Sequence, residues 1–355
     1  MKIKIAVLKG DGIGPEVINE AIKVLMAIAK KFDHQFIFEE ALVGATAIFE
    51  SGEPLPEETL AICKNNDAIL FGAIGHPDFD NNPTAKVRPE QGLLKLRKEL
   101  NLFLNIRPIK AYDALLKHSP LKEEIVKNVD FKIYRELTGG IYFGEKKLSE
   151  DGQTASDLCS YSIVEIERVA QLAFQAAEKS KNKVTLVDKA NVLETSRLWR
   201  KVVEQIATQY PKVTYETLFV DNAAMQIILN PKQFDIMLTA NLFGDVLSDE
   251  ASVIAGSLGL LPSASVGDTY AMFEPVHGSY YAALGKGIAN PMAAILSAAM
   301  LLEHFDLREE AQAIRHTVNL ALTQQIVTED LATDSAKNTQ EVGDFIANFG
   351  IDESI

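Results

Sequence analysis

The chain has 355 residues, 47% hydrophobic and 24% charged, with a formal net charge of −14. At roughly 150 residues per domain this is enough for two domains, and the composition excludes a disordered or fibrous chain. The acidic excess disfavours nucleic acid and membrane surfaces as partners, and any anionic substrate must be held by local cations.

In chain order, "KIAVL" (Lys4–Leu8) reads as a buried strand. Gly10, Asp11, Gly12, Ile13, Gly14 and Pro15 follow, and Pro15 suits the first turn of a helix because its missing N–H costs nothing there. Val17, Ala21, Val24, Leu25 and Ile28 then recur at helical spacing. Further strands are expected at Ala68–Gly72, Phe131–Glu136, Lys183–Asp188, Val213–Val220 and Phe234–Thr239, with helical patterns between most of them. This alternation is that of an α/β protein with a largely parallel sheet. The stretch Thr138–Ser160 is polar and poor in helical pattern, and reads either as a flexible loop or as an extended arm on a partner subunit. Helix signals run from about Asn290 to Val327.

The two cysteines, Cys63 and Cys159, match no zinc spacing and read as buried thiols. Lys2 and Lys4 interrupt the first apolar stretch, so no signal peptide is expected. Met292–Leu302 is too short to span a bilayer, and a cytoplasmic location is expected.

The opening glycines invite a dinucleotide reading, but G-x-G-x-x-G/A needs a small residue at its sixth position. Counting from Gly10 that residue is Pro15, and from Gly12 it is Val17. A tight turn ahead of a helix accounts for the glycines without a ligand.

The chemistry is concentrated elsewhere. Asp245 and Asp249 stand at i, i+4, so a helix would carry both carboxylates on one face, and Asp221 closes an earlier strand. Hard divalent cations take such oxygen ligands, although acids near a helix start also simply offset its dipole. Arg97, Arg107 and Arg135 are suited to a bidentate grip on carboxylates, and the last two end β-like runs, where α/β proteins build ligand sites. Tyr142 and Lys189 are candidate proton-transfer groups. In "EPVHGSYYAALGKGIANP", the glycines at 278, 285 and 287 lead through Asn290 into a helix, a loop able to present N–H groups to phosphate. His277 reads either as a base contact or as a packed core histidine.

Together "GDGIGPEV", "RPEQGLLKLRKELNLFLNIRP", "RELTGGIYFGE", "VDKANVLE", "NLFGDVLSDEASV" and "GKGIANPMAAILSAAMLLEH" resemble the decarboxylating β-hydroxyacid dehydrogenase family over nearly the whole chain. "RELTGGIYFGE" points to its isopropylmalate branch. The resemblance implies a two-domain α/β fold of isopropylmalate dehydrogenase type, with a parallel or mixed sheet and not a Rossmann fold. One domain would join about 1–102 to 256–355 on the nucleotide side. The other, about 103–255, would hold dimer contacts, substrate and metal, with an arm at about 138–160.

It further implies oxidative decarboxylation of 3-isopropylmalate in leucine synthesis, with NAD and Mg2+ or Mn2+, in a homodimer with shared active sites. Arg97, Arg107 and Arg135 would grip the malate carboxylates, and Leu93 and Leu94 would face the isopropyl group. Asp245 and Asp249 would bind the metal, with Asp221 joining them and the substrate from the second subunit. Lys189, also from that subunit, would belong to the hydroxyl deprotonation path, and Tyr142 would protonate the enol product. Glu90 would lie near the nicotinamide. Glu274, His277, Gly278, Ser279, Tyr280, Tyr281, Ala282, Ala283 and Asn290 would line the dinucleotide. One segment departs from the family. NAD-using members typically read "HGSAPDIAGKGIANP", so Ala282 stands where an aspartate would meet the adenosine ribose, and Ala283 replaces isoleucine. No new Arg or Lys appears at the ribose position to attract a 2′-phosphate, so NAD remains the expected cofactor. The alternatives are the same chemistry on tartrate, malate or homoisocitrate, and a non-catalytic small-molecule binding protein.

Overall fold

A computed structural model of the chain describes residues 1–82, 84–332 and 334–349. The strands are β1 (Lys2–Gly10), β2 (Gln35–Glu40), β3 (Ala68–Ala73), β4 (Leu104–Lys110), β5 (Asp130–Glu136), β6 (Lys146–Leu148), β7 (Ala155–Asp157), β8 (Lys183–Asp188), β9 (Thr214–Phe219), β10 (Ile236–Thr239), β11 (Pro262–Val266) and β12 (Ala271–Pro275). The chain divides into two compact units, Met1–Leu102 with Ala255–Ile355, and Phe103–Ile254.

In the first unit the strand order is β2-β1-β3-β12-β11. β1 runs parallel to β2 and β3, and β3 to β12, while β11 and β12 pair antiparallel. The apolar run Met292–Leu302 lies in the helix Met292–His304 and is buried on every side. Helices Gly14–Phe32 and Arg308–Thr323 and strands β11 and β12 surround it. A helix enclosed by protein all round needs no polar face, which explains its membrane-like composition. Among the described residues no helix is long and apolar enough to cross a membrane. The late helical signal resolves into two helices broken at Phe305–Leu307, and a third helix, Thr339–Phe349, follows where none was expected.

The opening glycines form a tight turn. Gly10 and Gly12 have φ of +69° and +56°, and a Cβ on either would lie 2.0 Å from a carbonyl oxygen, of Ala73 and Ser279 respectively. The buried Asp11 carboxylate fixes the turn by accepting from the N–H groups of Ala45, Thr46 and Gly75. These glycines serve left-handed backbone and close approach, and Pro15 sits at the start of the helix as its ring requires.

In the second unit the order is β4-β5-β10-β8-β9. β5, β10, β8 and β9 are parallel, and β4 is antiparallel to β5, so the sheet is mixed with parallel pairings in the majority, as expected. Thr138–Ser160 contains the antiparallel hairpin β6–β7, whose strand residues are all exposed. Cys63 is buried as expected, but Cys159 is exposed just beyond this hairpin, which offers no core to receive it.

Candidate active site

Strand register assembles the polar residues of the second unit. Thr239 of β10 pairs with Arg135 of β5 on one side and Val187 of β8 on the other, and Asp188 pairs with Phe219 of β9. These four strands are parallel, so the residues just past each end emerge side by side, where α/β sheets place their ligands. Beyond β8 comes Lys189, beyond β9 Asp221, and beyond β10 the helix Asn241–Ala255. Lys189 Nζ donates to Asp221 Oδ1 at 2.5 Å, and the lysine holds the Asp221 carboxyl below the usual carboxylate range.

The first turns of the helix Asn241–Ala255 stand against Arg135. Asn241 Oδ1 accepts from Arg135 Nε and Nη2 at 3.1 and 2.8 Å. Asp245 Oδ1 accepts from Nη1 at 2.5 Å, and Asp245 Oδ2 accepts from the Tyr142 hydroxyl at 2.7 Å. The Arg135 guanidinium lies 5.7 Å from the Tyr142 ring centroid. Burial and the Asp245 carboxylate push the Tyr142 hydroxyl up to about 12, so it stays protonated at neutral pH. Arg107 donates to Asn105 at 2.8 Å and Ser248 at 2.6 Å, and its guanidinium nitrogens stand 3.5 Å from both Asp245 and Asp249. Burial raises the Asp249 carboxyl, with Arg107 pulling it down. Arg107, Arg135, Tyr142, Asp245 and Asp249 thus form one cluster of alternating charge.

Sequence reasoning missed the residues that orient this cluster. Asn241 and Ser248 fall on the helical face of Asp245, four residues before it and three after, and that spacing was the available signal. Glu136 gave no such signal. It is fully buried and accepts from the N–H groups of Thr138 and Gly139, which fixes the turn between Arg135 and Tyr142. Gly244 is a glycine because an added Cβ would lie 2.6 to 3.1 Å from the Cβ, Cγ and Cδ of the buried Arg135 stem. Gly244→Ala must displace the guanidinium, and a misplacement of about 1 Å costs on the order of 10²-fold in kcat/KM. Parental kinetics in that variant, with helix content checked by circular dichroism, would show that Arg135 needs no such fit.

Among the described residues no group of three or more His, Cys, Asp or Glu side chains assembles that could hold a metal ion. One chain supplies the Asp245–Asp249 pair, with Asp221 held by Lys189. Two partly exposed carboxylates and no softer donor suit a hard cation that draws its remaining oxygens from outside this chain.

In the first unit, Glu90, Leu93, Leu94 and Arg97 lie on the helix Pro89–Glu99. Leu93 packs partly on the core of that unit, so only part of it faces outward, while Leu94 is half-buried. Arg97 is buried, gives Nη2 to Glu274 at 2.9 Å, and keeps a buried Nε with no hydrogen-bond partner. Glu274 is buried too and also accepts from Ser265, so its carboxylate faces Arg97, not an open loop. Glu90 Oε1 and Ser279 Oγ both approach Gly75, 3.5 and 3.2 Å from where its Cβ would lie.

A cavity of about 670 Å3 opens in this unit between Ile13, the Ser257–Gly259 turn, the loop from His277 to Asn290, and Glu329–Asp330. Gly278, Tyr280 and Asn290 line it. His277 Nδ1 donates to the Gly278 carbonyl, its Nε2 is buried with no hydrogen-bond partner among the described residues, and burial lowers its pKa, leaving the ring neutral. Tyr281 turns aside and packs edge-on to His76, with ring centroids 4.4 Å apart. Ala282 is exposed, whereas Ala283 is wholly buried in the short turn Tyr281–Ala283 and has no surface to offer a ligand.

Comparison with known proteins accords with this arrangement. The profile of the isocitrate/isopropylmalate dehydrogenase family matches residues 4–346. The chain is 51% identical over 351 residues to the 3-isopropylmalate dehydrogenase of Bacteroides fragilis, covering 98% of this chain and 99% of that protein. It is 54% identical over 349 residues to the enzyme of the same name from Bacillus subtilis, covering 96% and 95%. Among solved structures, isocitrate dehydrogenase from Methylococcus capsulatus superposes with a TM-score of 0.90 at 33% identity, covering 99% of this chain and 100% of that one. A β-decarboxylating dehydrogenase from Thermococcus kodakarensis gives 0.80 at 35% identity, covering 98% and 96%. A profile match across nearly the whole length, with relatives this similar, places the chain in the isocitrate/isopropylmalate dehydrogenase family.

Proposed function

We propose that the protein oxidises and decarboxylates 3-isopropylmalate in leucine synthesis, using NAD and Mg2+ or Mn2+. The observation that carries this reading is the Arg107–Arg135–Tyr142–Asp245–Asp249 cluster. It joins anion grips, a carboxylate pair and a neutral acid, as oxidation of a 2-hydroxy diacid followed by loss of CO2 requires.

Arg107 and Arg135 bind a substrate carboxylate in this scheme, and Arg97 is the third guanidinium assigned to the substrate. Three guanidinium groups offset a dianion that the acidic chain would otherwise repel. Leu94 and the open part of Leu93 face the isopropyl group. Lys189 takes the C2 hydroxyl proton as C2 is oxidised. Tyr142 stays protonated at neutral pH and delivers its proton to the enol carbon after CO2 leaves. Asp245 and Asp249 would hold the divalent cation, which would supply Lewis acidity at the C2 oxygen. The dinucleotide, when bound, would supply the hydride acceptor; the cavity lined by His277 would take its adenosine, and Glu90 and Ser279 would lie toward the nicotinamide.

The active unit in this reading is a cytoplasmic homodimer, the second copy contributing Lys189 and Asp221. Exposed apolar side chains support it: Met225, Ile228 and Leu229 on the helix Val220–Leu229, Val246 and Val253 on the helix Asn241–Ala255, and Leu148 on the hairpin arm. The two units would divide the labour, nucleotide in the first, and substrate, metal and dimer contacts in the second.

A substrate panel with Mg2+ and NAD tests the assignment. An apolar pocket gains up to about 3 kcal/mol per buried methylene, so 3-isopropylmalate should exceed malate by on the order of 10²-fold in kcat/KM. Stronger turnover of malate, tartrate or homoisocitrate would reject it.

A further inference from the structure

The cavity beside His277 holds one acidic group that the scheme above leaves unused. Glu329 and Asp330 both line it, and their surroundings differ. Asp330 Oδ2 accepts from Ser257 Oγ at 2.5 Å and Asn290 Nδ2 at 3.0 Å, and its Oδ1 from Thr328 Oγ1 at 2.5 Å. Those bonds tie the segment to the cavity wall and occupy the Asp330 carboxylate. Glu329 is exposed, with no hydrogen-bond or ion-pair partner among the described residues. His277 lines the same cavity, and its buried Nε2 has no hydrogen-bond partner among the described residues. No Lys or Arg stands among the described residues lining it. At Ala282, where the family resemblance places a ribose-binding aspartate, this chain offers only a methyl group.

We propose that Glu329 reads the vicinal hydroxyls of the adenosine ribose in this chain, in place of the carboxylate absent at Ala282, and so selects a dinucleotide without a 2′-phosphate. The proposal rests on the cofactor reading given above. A free carboxylate accepts from both hydroxyls of a ribose diol. A 2′-phosphate would bring two negative charges against it, with no cation on the wall to compensate.

Calorimetric titration of the full-length protein with NAD, NADP, 5′-AMP and adenosine 2′,5′-bisphosphate tests this without turnover. The parent should prefer NAD over NADP and 5′-AMP over the bisphosphate. Losing one charge-assisted contact, Glu329→Gln should bind NAD and 5′-AMP about tenfold more weakly and lose most of that preference. Glu329→Lys should reverse it, and Ala282→Asp added to Glu329→Gln should restore it. Because Glu329 is exposed, the variants should melt with the parent. If 5′-AMP competes with NAD but both Glu329 variants keep the parental preference, another group reads the ribose and the proposal is overturned while the cofactor site stands. If the parent binds neither NAD nor 5′-AMP, the cofactor reading fails and takes the proposal with it.

Discussion

Lys189→Ala is expected to lower kcat by on the order of 10³-fold while the protein melts within about 3 °C of the parent. The two halves of this expectation have separate causes. Lys189 stands just past β8 and its Nζ pairs with Asp221 at 2.5 Å, but the lysine and aspartate side chains are 26% and 68% exposed. A pair this open to water is screened and adds little to folding, so its loss barely moves the melting temperature. The role proposed for Lys189 in catalysis cannot be replaced in the same way, because alanine removes the group proposed to take the hydroxyl proton. Lys189→Arg separates charge from proton transfer. A guanidinium keeps the ion pair with Asp221 but does not give up its proton near neutral pH, so this variant should fold, bind NAD and remain nearly inactive. Parental kcat in either variant would remove Lys189 from the mechanism.

Asp245→Asn is expected to weaken Mn2+ binding by at least about tenfold and to lower kcat by on the order of 10³-fold. Asp245 accepts from Arg135 on Oδ1 and from the Tyr142 hydroxyl on Oδ2, and Arg107 stands 3.5 Å away. Asparagine keeps the shape and can still accept from Tyr142. It cannot offset the charge of Arg135, whose side chain is 2% exposed, nor give a cation an anionic oxygen. Reduced compensation of a buried guanidinium should also cost about 1 to 3 kcal/mol of stability. Direct Mn2+ titration and chemical denaturation measure the two losses independently. Unchanged Mn2+ affinity would move the metal away from this helix.

Much of this arrangement was legible in the sequence because it depends on local spacing. Asp245 and Asp249 at i, i+4 had to share a helical face, and Arg135, Lys189 and Asp221 each closed a recognisable strand. The opening glycines failed the dinucleotide pattern at Pro15 and Val17, and the backbone they form is a turn seated on Ala73 and Ser279. Three features escaped because their causes are distant in sequence. Glu136 looks like an ordinary strand-end acid until its burial and the N–H groups of Thr138 and Gly139 are seen. Gly244 needs the Arg135 stem, more than a hundred residues away, to explain it. Glu274 reads as a loop acid until Arg97 is found against it.

The sequence by itself marked most of the parallel strands, the helices between them and the residue types that can do chemistry, because helical and strand periodicity and strand-end position are local properties. It also carried the family, through segments spread over the whole chain. Only the tertiary structure decided which groups meet. The parallel register of β5, β10, β8 and β9 brings Arg135, Asn241, Lys189 and Asp221 out at neighbouring strand ends, and that register is set by non-local hydrogen bonds. It also separated Asp330, held by three hydrogen bonds, from the adjacent Glu329, which is left facing the cavity. Two neighbouring acids look alike in a sequence, and only the partners that folding gives them distinguish a structural carboxylate from one free to bind.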